Sequence, residues 1–174
     1  AAAGAEGAEA AALAASEPLL GALAGRLVRK NSRLAVQEAY TFLSEPPLGA
    51  GAFGVVFRAV HNRTGIERAV KRIDKRAASA AAAPEGEVEA LRLVDHPHVC
   101  RLVEYFETSR YLWLVLELCR GEELCSRLLE LPAGQGVPEP EAARLMLQML
   151  RAALHCHRQR LVHRDLKPEN FLFS

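Results

Sequence analysis

The stretch "LVHRDLKPENFLFS", Leu161 to Ser174, places a carboxylate, an ammonium and an amide within a few residues of one another. Asp165 could accept a hydroxyl proton, and Lys167, two residues on, could steady a transferred phosphate. Asn170 could bind a magnesium ion through its amide oxygen, and Arg164 is free to meet a phosphate elsewhere. A second candidate is "LGAGAFGVV", with Gly49, Gly51 and Gly54 followed by Val56. Without side chains in the way, backbone amides can lie close over phosphates. A lone G-x-G-x-x-G also suits a dinucleotide fingerprint, but that needs a helix after the loop. Here strand-like sequence lies on both sides, so the reading is a glycine-rich hairpin or a plain turn. The third candidate is Lys71 in "RAVKRI". A strand lysine usually sits on a solvated face, yet beside a glycine hairpin its ammonium could reach phosphate oxygens. Glu87 opens a helical pattern further on and could hold Lys71 as an ion pair.

These residues need elements to position them. "YTFLSEPPLG" reads as a strand loosened by Pro46 and Pro47. "VVFRAV" and "IERAVKRI" alternate around the turn cluster "HNRTG", which predicts a hairpin. "EVEALRLV" puts Val88 and Leu91 on one helical face, and "VCRLVEYF" and "YLWLVLEL" read as two further strands. The first half therefore predicts an α+β unit with about five mostly antiparallel strands and one helix. After Glu117 the period becomes helical. "EELCSRLLEL" is a short helix, and Glu139 to Arg158 is a longer one with Ala142, Leu145, Met146, Met149, Ala153 and Cys156 at steps of three and four. Pro140 suits its first turn.

The 174 residues are 50% hydrophobic, enough for one compact domain, and the formal net charge of +1 gives no strong field toward nucleic acid or an anionic membrane. No apolar run reaches the length of a spanning helix. Cys100, Cys119, Cys125 and Cys156 form no C-x-x-C pair and read as reduced thiols in a core. Adjacent residues of "HCH", His155 to His157, point in different directions and do not readily share one ion. Residues Ala1 to Glu17 are low-complexity Ala, Gly and Glu, expected to be disordered or a frayed helix. Glu6, Glu9 and Glu17 argue against a transit peptide.

From about Tyr40 to Ser174 the order and context of these motifs resemble the front half of a eukaryotic protein kinase domain, in its serine/threonine form. The resemblance implies a kinase N-lobe, with about five antiparallel strands and helix αC, followed by the first helices and catalytic loop of an incomplete helical C-lobe. It implies Asp165 as the catalytic base with Lys167 and Asn170 beside it. Asn170 would bind Mg2+, with a D-F-G aspartate that these residues do not contain. It implies an ATP site from Leu48, Gly49, Gly51, Gly54, Val56, Ala69, Lys71, Glu87, Leu116, Glu117, Cys119, Glu123 and Leu172. In that site Lys71 holds the α- and β-phosphates, and Glu87 on helix αC holds Lys71. Leu116 is the gatekeeper, and Glu117 and Cys119 offer backbone groups to adenine. Val56 and Ala69 lie above the base and Leu172 below it, and Glu123 meets ribose or a substrate arginine. Leu91, Leu102 and His163 match three of the four members of the family's regulatory spine.

"EVEALRLVDHPHVCRLVEYFE", "LVLELCRGEEL" and "LVHRDLKPENFLF" look most like the calcium- and calmodulin-regulated kinases, above all calcium-dependent protein kinases. "LVRKNSRLAVQEAYTFL" resembles the lead-in of such kinases, and Ser32, with Arg29 three before it, fits a basophilic phosphorylation site. The expected partners are Ser/Thr protein substrates with a preference for Arg, through Glu123 and Glu169, and an EF-hand domain or calmodulin. No D-x-D-x-D-G loop occurs in the 174 residues.

The expected organisation is a largely disordered lead-in over 1–39, an N-lobe over 40–118, and hinge, early C-lobe and catalytic loop over 119–174. With no initiator Met and no D-F-G after Asn170, the expectation is a fragment that is inactive alone and leaves the apolar stripe of its long helix exposed. The alternative is a truncated product that binds nucleotide or competes for a kinase partner. Between Lys71 and Glu87, "RAASAAAAPEGE" carries Gly86, which weakens a helix by about 1 kcal/mol relative to Ala and predicts a mobile helix αC. The default location is cytoplasmic, with a lipid or organelle signal ahead of Ala1 left open.

Overall fold

A computed structural model describes residues 28–31, 35–43, 46–51, 54–76 and 84–174. The expected disorder of Ala1 to Glu17 and the phosphorylation site at Ser32 lie outside the described residues.

Seven strands form one sheet. They are β1 (Arg29–Asn31), β2 (Tyr40–Phe42), β3 (Gly49–Gly51), β4 (Gly54–His61), β5 (Glu67–Asp74), β6 (Leu102–Glu107) and β7 (Tyr111–Glu117), in the order β1-β6-β7-β5-β4-β2, with β3 also paired to β4. All pairs are antiparallel except β1 with β6. Among the described residues, four α-helices follow in chain order: α1 (Val36–Ala39), α2 (Pro84–Leu93), α3 (Leu124–Leu129) and α4 (Glu139–Arg158). This is the expected α+β lobe followed by the first helices of a second one. No helix among the described residues is long and apolar enough to cross a membrane.

Period-two alternation explains the sheet's two cores. On β7, Leu112 and Leu114 face one side with Ile73, Val88 and Leu102, while Trp113 and Val115 face the other with Val36, Tyr40, Val70 and Phe106. Val70, Leu114 and Val115 are fully buried, each contributing about 1.5–3 kcal/mol by removal from water. Lys71 lies two residues from Ile73 on β5, so it shares the face that packs helix α2. One turn apart on α2, Glu87 and Leu91 face that side together.

Two expectations need correction. The sheet has seven strands, because "YTFLSEPPLG" yields two short strands around its prolines and the lead-in adds another. The lead-in is not disordered through residue 39: Arg29–Asn31 pair with β6, and Val36 of α1 is 2% exposed. The run that produces this, "LVRKN" and then "AVQEAY", lacks the periodic apolar face that would mark it in sequence. Helix α2 begins at Pro84 and runs through Gly86, since packing of Val88 against the sheet outweighs a propensity cost near 1 kcal/mol.

Helix α4 has the predicted bounds, Glu139 to Arg158, with its proline in the first turn. Its buried side is centred on Leu145 and Ala152, with Met149 and Cys156 half-buried. Met146, placed on the buried stripe by its spacing, is 54% exposed, and Leu147, Leu150 and Leu154 stand exposed beside it.

Candidate active site

A cleft of about 1010 Å³ runs between the sheet and the helical segment. Thirteen of the sixteen predicted site residues line it. Gly51, Gly54 and Lys167 do not.

The roof comes from the glycine hairpin β3–β4. Gly54 has φ +119°, and a Cβ there would lie 2.2 Å from the carbonyl oxygen of Arg72. Its glycine character is therefore a demand of strand packing, since no side chain fits between the hairpin and β5. Gly49 and Gly51 differ: a Cβ at either would meet nothing within 4 Å. The open space beneath the hairpin suits a phosphate approached by bare backbone. Val56 pairs across β4–β5 with Lys71, and Ala69 pairs with Leu116 on β7, which puts an apolar ceiling next to the ammonium.

Lys71 Nζ lies 2.7 Å from Glu87 Oε1. The ion pair holds the ammonium within the cleft. Leu91 and Leu102 meet in the core cluster against α2. His163, grouped with them by resemblance, lines the same cleft as Leu91; it is exposed, and its Nδ1 accepts the Asp165 amide at 3.4 Å.

At the hinge, the Glu117 amide donates to the Arg101 carbonyl at 3.0 Å, and its carboxylate accepts the Arg101 amide at 2.9 Å. Both bonds fix the strand end and leave the following peptide in place. Among the described residues, the Cys119 N–H and C=O meet no other main-chain group. They remain available to the edge of a planar base. Burial pushes the Cys100 thiol up to about 12, with Cys119 and Glu117 adding to the effect, and burial also raises Cys119. Both thiols stay protonated, and Cys100 Sγ donates to the Glu117 carbonyl at 3.6 Å.

The floor is a short antiparallel pairing that sequence reasoning missed. Glu123 bridges Leu172, while Gly121 N–H donates to Phe173 O at 2.9 Å and Phe173 N–H to Glu122 O at 3.0 Å. A Cβ on Gly121 would lie 2.5 Å from Phe173 Cβ. The pairing lifts Leu172 into the cleft opposite Val56 and Ala69. The alternation in "FLF" was the available signal.

In the loop after α4, Arg164 adopts φ +65°, a conformation that costs a non-glycine residue of order 1–3 kcal/mol and concentrates at functional sites. Next to that bend, Lys167 Nζ lies 3.0 Å from Asp165 Oδ2. Asn170 Nδ2 donates to Asp165 O at 2.6 Å and to Oδ2 at 3.1 Å. The hydrogen bond from Lys167, then that from Asn170, hold the Asp165 carboxyl below its ordinary range, and Asp165 raises Lys167 in return. With its amide nitrogen committed, Asn170 keeps Oδ1 for another partner. A carboxylate and an amide oxygen are the hard donors that suit a magnesium ion.

Residues 42–174 match the protein kinase domain model. The chain is 39% identical over 126 residues to calcium-dependent protein kinase 5 of Plasmodium falciparum, which covers 72% of this chain and 22% of that protein. It is 40% identical over 127 residues to a probable myosin light chain kinase of Dictyostelium discoideum, covering 73% of this chain and 39% of the relative. Calcium-dependent protein kinase 3 of Plasmodium yoelii yoelii is 36% identical over 136 residues, 78% of this chain and 25% of that protein. The chain thus spans between about a fifth and two fifths of the length of these relatives. The matched residues take in the glycine hairpin, the Lys71–Glu87 pair and the Asp165 loop alike, and the chain belongs to the protein kinase domain family.

Proposed function

We propose that the protein is an ATP-dependent serine/threonine protein kinase. One observation carries the reading: the Lys71–Glu87 pair and the Asp165–Lys167–Asn170 cluster line or adjoin a single cleft from opposite lobes. Adenine would lie between Val56 and Ala69 above and Leu172 below, its edge toward Glu117 and Cys119. The open hairpin at Gly49 and Gly51 and the Lys71 ammonium would take the phosphates.

Catalysis here is chiefly positioning and charge stabilisation. Asp165 is ionised and accepts a hydrogen bond from the substrate hydroxyl, which aligns that oxygen with the γ-phosphorus. As the new O–P bond forms and the bond to the β–γ bridging oxygen breaks, the hydroxyl proton passes to Asp165. A carboxylate held below its usual pKa is a weak base, so orientation comes first and proton transfer late. Lys167, fixed on Asp165, faces the negative charge of the group in transfer. Asn170 Oδ1 would hold a magnesium ion, whose chemistry is to neutralise phosphate charge.

Substrates with Arg near the phosphorylated residue suit Glu123 and Glu169, which line the same cleft. Relatives named calcium-dependent support calcium control in our reading, which takes an EF-hand domain or calmodulin as the sensor and the cytoplasm as the location. The test is γ-phosphate transfer to Ser/Thr peptides by the full-length protein, with and without calcium. Asp165→Asn is expected to lower turnover by a factor of 10²–10⁴ while sparing ATP binding. Full retention of activity refutes the assignment.

A further inference from the structure

Residues of the lead-in contact both faces and the edge of the sheet. Val28 packs against the cluster of Ile73, Val88, Leu102, Leu112 and Leu114, on the helix α2 side. Arg29–Asn31 then pair in parallel with Glu104, Tyr105 and Phe106, closing the β6 edge. Val36 and Tyr40 lie buried on the opposite face. The Glu104 carboxylate joins these parts: it accepts Asn31 Nδ2 and, at 2.6 Å, the Tyr40 hydroxyl. Asn31 is 7% exposed and Tyr40 2%, so both bonds are shielded from water. Burial first, then Glu104, hold the Tyr40 phenol above its ordinary pKa, so it remains a donor throughout the neutral range. Lys30 adds an ion pair to Glu107 at 2.7 Å, and Lys75, at the end of β5, reaches the same carboxylate at 2.7 Å.

We propose that residues 28–31 and 35–40 brace the β6 edge and position helix α2, so that Glu87 meets Lys71. Val28 is the brace's contact with the cluster that seats the helix, and Glu104 is its anchor. The argument is one of adjacency. Val28 packs against the core cluster that contains Val88, and Leu91 of the same helix packs against that cluster too. An edge strand alone would cap the sheet, but Val28 extends its reach to the cluster in which the helix carrying Glu87 is seated. These are positioning residues and touch no substrate. The inference rests on the reading of Lys71 and Glu87 as phosphate-binding machinery.

The experiment is a double-mutant cycle in the full-length protein, read as KM for ATP, kcat and thermal midpoint. Val28→Ala is expected to raise KM for ATP about fivefold, Val28→Ile to restore it, and Glu104→Gln to reproduce the Ala effect from the anchor end. In the Glu87→Gln background, Val28→Ala is expected to add nothing to KM, because the pair it positions is already broken. A Val28→Ala variant with a lower midpoint and unchanged KM overturns the brace, as does full additivity with Glu87→Gln. If Glu87→Gln leaves KM and kcat unchanged, the phosphate-binding reading falls and the brace's proposed purpose falls with it. Should Val28→Ala fail to fold, Glu104→Gln in the same cycle decides between these outcomes.

Discussion

Lys167 lowers the pKa of Asp165. Its ammonium is the largest influence depressing the carboxyl, ahead of Asn170. The sign follows: the ionised form is the active one, so activity is present above the depressed pKa and is lost as pH falls through it. The acid limb of kcat/KM is therefore expected below the ordinary aspartate value of about 3.9. Lys167→Met removes the ammonium, and the limb is expected to rise toward that value while Asn170 keeps the side chain in place. A 13C NMR titration of the Asp165 carboxyl in both proteins checks this, and an unmoved midpoint contradicts the pairing. The identities of Asp165, Lys167 and Asn170 as a chemical group were legible in the sequence because all three lie within one turn-rich loop. That Asn170 spends its amide nitrogen on Asp165 was not, since a hydrogen bond between loop ends depends on backbone path. The left-handed turn at Arg164 likewise has no sequence signature, for Arg is not a residue type that favours it.

In the glycine hairpin, the three glycines that look alike as letters differ in what constrains them. Gly54→Ala would drive a methyl against the Arg72 carbonyl at a positive φ, so the β4–β5 hairpin must shift. The expected outcome is a loss of about 1–3 kcal/mol in chemical denaturation together with a weaker ATP KM. Gly49→Ala meets no protein atom, so stability is expected to stay within about 0.5 kcal/mol. Any rise in KM at Gly49 then reports on the phosphate the hairpin covers. Comparing the two variants separates the demands of the fold from those of the ligand. Strand and helix identity over β4, β5, β7 and α4 could be read in advance, from apolar or alternating β-rich runs in the strands and a 3.6-residue period in α4. The strand β1 and helix α1 could not, because three and four residues are too few to show a period. The floor pairing of Gly121–Leu124 with Phe171–Phe173 joins segments about fifty residues apart, a separation that a local pattern does not reveal.

Across the whole molecule, the two faces of the sheet carry two cores with different duties, and substitutions of similar cost should separate them. Leu114 is fully buried on the α2 side and is the cross-strand partner of Lys71. Trp113, its neighbour on β7, is 8% exposed on the opposite face, packed with Phe42 and Tyr111. Leu114→Ala is expected to cost 2–5 kcal/mol and Trp113→Ala roughly 3–5 kcal/mol, so equilibrium unfolding should see both as severe. Only Leu114→Ala hollows the cluster that seats Val88, and with it Glu87. Its residual folded population should therefore bind ATP more weakly at temperatures where the Trp113→Ala protein, equally folded, binds normally. Isothermal titration with a non-hydrolysable ATP analogue, at matched fractions folded, makes the comparison. Equal losses of affinity in both variants would mean that the sheet transmits damage from either face. The core on the α2 side would then have no special link to the nucleotide, and the helix would be positioned by the sheet as a whole.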